Sequence, residues 1–289
     1  MNGIPLLLIG GKKESGKSTV AKLCEEKFGG VTVSFSAPMK RFCAALGMPL
    51  DNLWGSTAKR DEVIPTPEFF SKERPSLSVK FDGAYAFRLA DGAYAFRLAY
   101  DGHLAPVFGP WEQSHVRSTM MAWLGAEWDY VNGYNGSPPH PFTCRHALQT
   151  LGTECGRSIN PDCWGNFGVD AALKILSGEY GYEQQLMGLS RKHNSSSPRQ
   201  PPRMVVIDDC RFPNELVIGK VKGAKSILVE RPSTSASADS HASETSLDLI
   251  PGNWWDASVR NDASLTDLNH TVSHKLNALG FTSGLQNSI

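Results

Sequence analysis

The sequence predicts an α/β fold: a five-stranded parallel sheet with helices on both faces and an inserted substrate or lid region. Three observations predict it. Five strand candidates recur at about 5–9, 31–35, 204–208, 225–230 and 256–261, with helical segments between them. A glycine-containing loop joins the first run to the first helix. The α/β rhythm then breaks between about Pro49 and Pro141 and resumes after residue 203. In such a sheet the ligand site lies at the carboxyl ends of the strands.

Each element has a local reason. "PLLLI" at 5–9 is a short apolar run ending in glycine, as a buried parallel strand would be. "KSTVAKLCEEKFGG" places apolar residues at helical spacing and stops at Gly29–Gly30, a good helix end. "VTVSF" is the second strand; Ser36 then caps a helix with Pro38 in its first turn. The stretch that follows is rich in Pro, Gly and aromatic residues and reads as an insertion packed on the core. It holds a perfect tandem repeat, "DGAYAFRLA" at 82–90 and again at 91–99. Nine residues suit neither a solenoid unit nor a catalytic motif, so the repeat reads as a duplication in a tolerant surface hairpin, and Arg88 and Arg97 receive no role.

Helices are predicted at about 144–157 and 161–177, then a polar Pro/Ser-rich loop at 190–203. "MVVID" (204–208), a helix over about 214–222 and "KSILVE" (225–230) restore the rhythm. A second polar loop, the strand "DASVRN" and a helix over about 264–279 close the fold.

Composition narrows the function classes. The 289 residues carry 29 basic and 29 acidic side chains, which argues against electrostatic coating of a nucleic-acid polymer. No apolar run reaches membrane-spanning length, and the amino terminus lacks the regions of a signal peptide, so a cytoplasmic protein is expected. The 6 cysteines contain no C-x-x-C pair and are expected as reduced, mostly buried thiols. His140, Cys144, Cys155 and Cys163 lie close in sequence, but their spacings fit no standard zinc pattern.

The strongest chemical signal is Gly11-Lys12-Lys13-Glu14-Ser15-Gly16-Lys17-Ser18, a full match to G-x-x-x-x-G-K-[ST] between a strand and a helix, followed by Thr19. Glycines let the backbone curl so that N–H groups point at phosphate oxygens, and the helix amino terminus adds its dipole. Lys17 would reach the β- and γ-phosphates of a nucleoside triphosphate, and Ser18 can ligate Mg²⁺. The third strand of the core ends "IDDCRFPNE". Asp208 or Asp209 could serve the metal through water, and Arg211 adds a cation at the same strand end. Such an arginine suits transfer to a second phosphate, whose charge must also be neutralised; its plainer role is a surface salt bridge.

Taken together, "GKKESGKST", "SAPMK", "ALQTLGTECGR…CWGNF", "DDCRFPNE", "HASET" and "RNDASLTDL" resemble, in order, the bacteriophage deoxynucleoside monophosphate kinases of the P-loop nucleoside monophosphate kinase group. The resemblance covers about 1–48 and 143–280. It implies a P-loop kinase fold using ATP with Mg²⁺ and a deoxynucleoside monophosphate, in the host cytoplasm if phage-encoded. It also implies no nucleic-acid polymer and no membrane, and it is compatible with a homodimer.

Residue by residue, the resemblance implies that Met39, Lys40 and Arg74 contact the monophosphate, with Arg74 in the divergent "SKERP". Arg145, Gln149, Gly152 and Thr153 would form the second-substrate wall. Trp164 would frame the base, although core packing is the commoner role of a lone tryptophan. Arg157 would close over the transferred phosphate or remain a helix-surface charge. Asp209 and Arg211 match the family's Asp-x-Arg, which makes Lys17, Arg145, Asp209 and Arg211 the catalytic set and Ser18 and Asp209 the metal pair. His241 and Glu244 match a motif without a derivable role. Asn261 and Asp262 end the fifth strand, where this group's adenine rests, unless Asp262 caps the last helix.

The expected organisation is a split core at 1–48 and 203–281, an insertion at 49–142, a helical region at 143–187, a flexible loop at 188–202 and a tail at 282–289. Closure of the insertion and the 145–164 helices would exclude water as a competing acceptor. A kinase of another small phosphate ester, similar to the animal phosphomevalonate kinases, is the nearest alternative. A non-catalytic ATP-binding module is a more distant one, made less attractive by the intact Lys17, Ser18 and Arg211.

Overall fold

A computed structural model describes residues 4–67, 76–81, 84–88, 104–108, 113–133, 138–178, 202–232 and 242–283. In chain order, β1 (Leu6–Gly10), α1 (Lys17–Phe28), β2 (Gly30–Val33), α2 (Ala37–Ala45), α3 (Leu50–Trp54) and α4 (Thr57–Asp61) come first. There follow β3 (Ser76–Phe81), β4 (Ala84–Arg88), α5 (Ala105–Phe108), α6 (Gln113–Asn132) and α7 (Cys144–Gln149), which continues as a π-helix over Thr150–Arg157. After α8 (Cys163–Ser177) come β5 (Met204–Cys210), α9 (Pro213–Val221), β6 (Lys225–Glu230), α10 (Ala242–Thr245), β7 (Ala257–Arg260) and α11 (Leu265–Ala278). The chain divides into two compact units, Met1–Ala37 with Trp164–Ile289, and Pro38–Cys163.

The first unit holds an all-parallel sheet in the order β2-β5-β1-β6-β7. All five core strands stand within a residue or two of the predicted runs. β1 is central, and every residue of it is buried, which is why it reads as an unbroken apolar run. Its side chains alternate between two covered faces. Leu7 and Ile9 join Val206, Ile227 and Val229 against Val20, Leu23 and Phe28 of α1 and Leu268, Val272 and Leu276 of α11. Leu8, on the opposite face, meets α9 at Gly219, where an added Cβ would overlap Leu8 Cδ1. Burying each such side chain contributes about 1.5–3 kcal/mol.

The helix ends follow their sequence signals. Gly29 ends α1 in the left-handed conformation, its N–H donating to Cys24 O. At α11 the cap is Ser264, whose hydroxyl accepts from Asp267 N at 3.2 Å while Asp267 returns to Ser264. Asp262 therefore does not cap this helix: it pairs with Arg260.

In the second unit, β3 and β4 form an antiparallel hairpin pairing Lys80 with Tyr85 and Ser76 with Arg88. β4 lies in the first copy of the repeat; the second copy, 91–99, lies outside the described residues, as do 188–201 and 284–289. The twenty residues of α6 are a helix that the broken α/β rhythm did not predict. Its buried positions, Val116, Met120, Trp123, Leu124, Glu127 and Val131, recur at helical spacing, with a carboxylate at one of them. The predicted helix over 144–157 exists, but only its first six residues are α. From Thr150 the ladder widens to the i→i+5 pattern, a form that recurs at functional sites.

Candidate functional site

The phosphate loop, 11–18, leaves the carboxyl end of central β1, between the ends of β5 and β6. This is a switch point of the sheet: the helices that follow β1 and its neighbour β5 pack on opposite faces, which opens a crevice at the strand ends. Glu14 (φ 63°) and Gly16 (φ 104°) both take the left-handed conformation, the alternation that turns successive N–H groups inward into an anion-binding nest. Lys17 is 9% exposed, and its ammonium donates to Gly11 O and Lys12 O, both at 2.6 Å. The side chain thus lies along the inside of its own loop, where a phosphate oxygen would compete with those carbonyls. Ser15 is fully buried, and its Oγ has no hydrogen-bond partner among the described residues. Thr19 and Val20 begin the helix by donating to Gly16 O at 3.0 and 3.1 Å.

Three neighbours hold the loop. Asn261, 6% exposed at the end of β7, donates from Nδ2 to Ser15 O at 2.8 Å. The Trp255 ring occupies the space that a Cβ on Gly10 would take. Lys12 forms an ion pair with Asp248 at 2.9 Å. Of these, only Asn261 stands out in the sequence, as a residue near an adenine; in the structure its side chain braces the loop. No local signal marks Trp255 or Asp248.

The end of β5 separates the two neighbouring acids. Asp208 Oδ2 stands 3.4 Å from Ser18 Oγ. Asp209 turns to the exit of β2: Oδ1 accepts from Phe35 N at 2.8 Å, and Oδ2 from Ser36 N at 3.1 Å and from the Ser34 hydroxyl. Its carboxylate shapes the β2–α2 turn, and Asp208 is the acid beside Ser18. Glu215, 3% exposed, accepts from Arg211 N at 2.8 Å and Phe212 N at 3.0 Å, fixing the backbone from which Arg211 projects. Ser34 and Glu215 escaped the sequence reading, although Glu215 sits three residues into a helix after an N-cap, where a carboxylate commonly reaches back.

The remaining candidates lie in the second unit or at its edge. Met39, 8% exposed, packs against Gly152, where an added Cβ would lie 2.9 Å from its sulfur. Lys40 Nζ is 6.0 Å from the centroid of Trp54, a cation–π distance. Arg145 pairs with Asp61, and Arg157 donates to Pro161 O at 2.8 Å. Gln149 and Thr153 are partly exposed on the α-to-π segment, and Trp164 is 1% exposed, an interior side chain. Arg74 and His241 lie outside the described residues, as does the side chain of Glu244. The six cysteines are buried and form no disulfide.

The donor set fits a hard cation. Ser18 and Asp208 supply oxygen atoms, and Mg²⁺ keeps several waters and substrate phosphates, so it does not need a protein cage. Among the described residues no three His, Cys, Asp or Glu side chains form a metal-holding group, and no helix is long and apolar enough to cross a membrane. Comparisons with protein-family models and with curated proteins found no match.

Proposed function

We propose that this chain is an ATP-dependent kinase that phosphorylates deoxynucleoside 5′-monophosphates to diphosphates. The observation that carries the reading is the phosphate loop: an inward-facing nest at the sheet's switch point with Lys17 folded inside it. A phosphate entering the nest replaces carbonyl contacts of Lys17 with charge-assisted ones, which are roughly twice as strong as neutral hydrogen bonds. Support for the acceptor comes from the ordered motifs that resemble the phage deoxynucleoside monophosphate kinases, and from Arg211 at the same strand end as Asp208.

In this reading Lys17 and the loop N–H groups hold the donor phosphates, and Arg211 neutralises charge on the transferring phosphoryl group. Arg145, Gln149, Gly152 and Thr153 recognise the acceptor. Arg145 would exchange its pairing with Asp61 for a substrate phosphate. Bound Mg²⁺, held by Ser18 and Asp208, would neutralise charge on the donor phosphates. Direct transfer between two held anions requires no covalent enzyme intermediate.

The test is ADP release with a panel of acceptors: the deoxynucleoside monophosphates, phosphomevalonate and water. Turnover confined to deoxynucleoside monophosphates supports the reading. Turnover with phosphomevalonate alone, or ATP binding with no turnover on any acceptor, overturns it.

A further inference from the structure

In the second unit, Glu127 occupies a core position of α6 at 1% exposure, where the helical pattern otherwise places Val, Met, Trp and Leu. Its Oε2 has no hydrogen-bond partner among the described residues. Its Oε1 meets Thr150 Oγ1, the first residue of the π-helix, and stands 3.5 Å from His146 Nε2. His146 stacks on Tyr130 at 3.8 Å, and Tyr130 on His140 at 4.5 Å. Nothing in the proposed chemistry uses this cluster.

The hydrogen-bond pattern around Thr150 bears on its protonation state. Thr150 Oγ1 accepts from Trp123 Nε1 at 3.0 Å and lies 3.0 Å from His146 O and 3.2 Å from Ala147 O. One hydroxyl hydrogen cannot serve those carbonyls and a carboxylate together. A neutral Glu127 resolves the conflict: its own O–H donates to Thr150, and the Thr150 hydrogen goes to His146 O. When Glu127 ionises, the Thr150 hydrogen must turn to Oε1, and the bond back to the preceding helical turn is lost. Burial favours the neutral form, pushing the carboxyl up to about 7, against the lowering effect of Thr150 and Trp123. The other titratable groups around it are Glu154, which raises it further, His146, and the Cys43 thiol.

We propose that Glu127 is a positioning residue: through Thr150 its proton fixes the α-to-π junction and so the register of Gln149, Gly152 and Thr153. In its functional part this rests on the proposed acceptor role of that segment. The protonated junction is the ordered one, and ionisation loosens it, so acceptor recognition weakens as pH rises through neutrality while the phosphate loop is unaffected.

The experiment compares wild type, Glu127→Gln and Thr150→Val at pH values from about 6 to about 8.5, a span that brackets the raised pKa. Two quantities are read: amide hydrogen-exchange protection of 146–157, corrected for intrinsic rates, and KM and kcat for a deoxynucleoside monophosphate. In wild type, protection falls severalfold with rising pH, and KM for the monophosphate rises without a matching change in KM for ATP. Glu127→Gln, a permanent mimic of the neutral acid, keeps the low-pH values throughout. Thr150→Val shows the loosened junction at every pH. Identical pH dependence in folded wild type and Glu127→Gln overturns the proposal. Expected exchange behaviour in a wild type that phosphorylates no monophosphate keeps the junction and removes the acceptor reading.

Discussion

The side-chain amide of Asn261 donates to the backbone carbonyl of Ser15 at 2.8 Å, joining the last strand to the phosphate loop across 246 residues of sequence. The backbone N–H of Asn261 donates to Glu230 O at 2.7 Å, so the clamp is itself anchored to the end of β6. Gly16 makes room for it: a Cβ there would overlap Asn261 Nδ2. Sheet, loop and helix start are locked at one point.

Asn261→Ala should therefore weaken ATP binding roughly tenfold, equivalent to the ~1.4 kcal/mol of one buried hydrogen bond. Asn261→Asp should be worse than alanine, because a carboxylate oxygen would face the Ser15 carbonyl with no donor between them. Calorimetric titration of the three proteins with ATP tests the order; aspartate binding as well as asparagine would show that the clamp does not shape the loop.

Lys17→Ala should abolish phosphoryl transfer and leave the fold intact. The turn is set by the positive φ angles of Glu14 and Gly16 rather than by the lysine, whose ammonium bridges two loop carbonyls. Thermal unfolding and ADP release should separate cleanly, with an unchanged midpoint and no turnover. Near-normal turnover would remove the phosphate-loop assignment.

The adjacent acids should behave differently. Asp209→Ala removes the acceptor for two backbone N–H groups and the Ser34 hydroxyl, and should cost about 2–3 kcal/mol of stability. Asp208→Ala should reduce Mg²⁺-dependent turnover by more than its effect on stability accounts for. Denaturant melts and metal titrations of the two variants check this; equal stability losses would return both acids to a structural role.

What was legible in the sequence divides along physical lines. "LLLIG" and the "ILV" of "KSILVE" were readable as strands because burial on both faces makes the middle of a parallel strand an apolar run. Gly16 and Gly29 were readable because left-handed backbone selects glycine. The acids of "DDC" were not separable, since which one turns to β2 depends on a partner strand more than 170 residues away. α6 was hidden because Trp128, Tyr130 and Glu127 blur its apolar stripe. The α-to-π change at Thr150 leaves no sequence period, since it depends on a hydrogen bond to another helix.

Glu127 also makes a prediction about stability. Its carboxyl rises from 4.5 to about 7 in the folded chain because burial penalises the charged form. Between those values the native state binds more protons than the unfolded state, so stability from this group falls as pH rises from about 4.5 and levels off above about 7. A rise of that size corresponds to a loss on the order of 3 kcal/mol at 1.36 kcal/mol per pH unit. Other groups titrate in the same window, so the informative quantity is the difference between wild type and Glu127→Gln. Near pH 5 the neutral acid and the amide should be about equally stable; near pH 8 the amide variant should be the more stable, having no charge to bury. Urea melts of both proteins at several pH values measure the difference directly. A difference that stays flat across the range would mean that Glu127 ionises in the folded chain as easily as in the unfolded one, with His146 at 3.5 Å as the group able to compensate its charge.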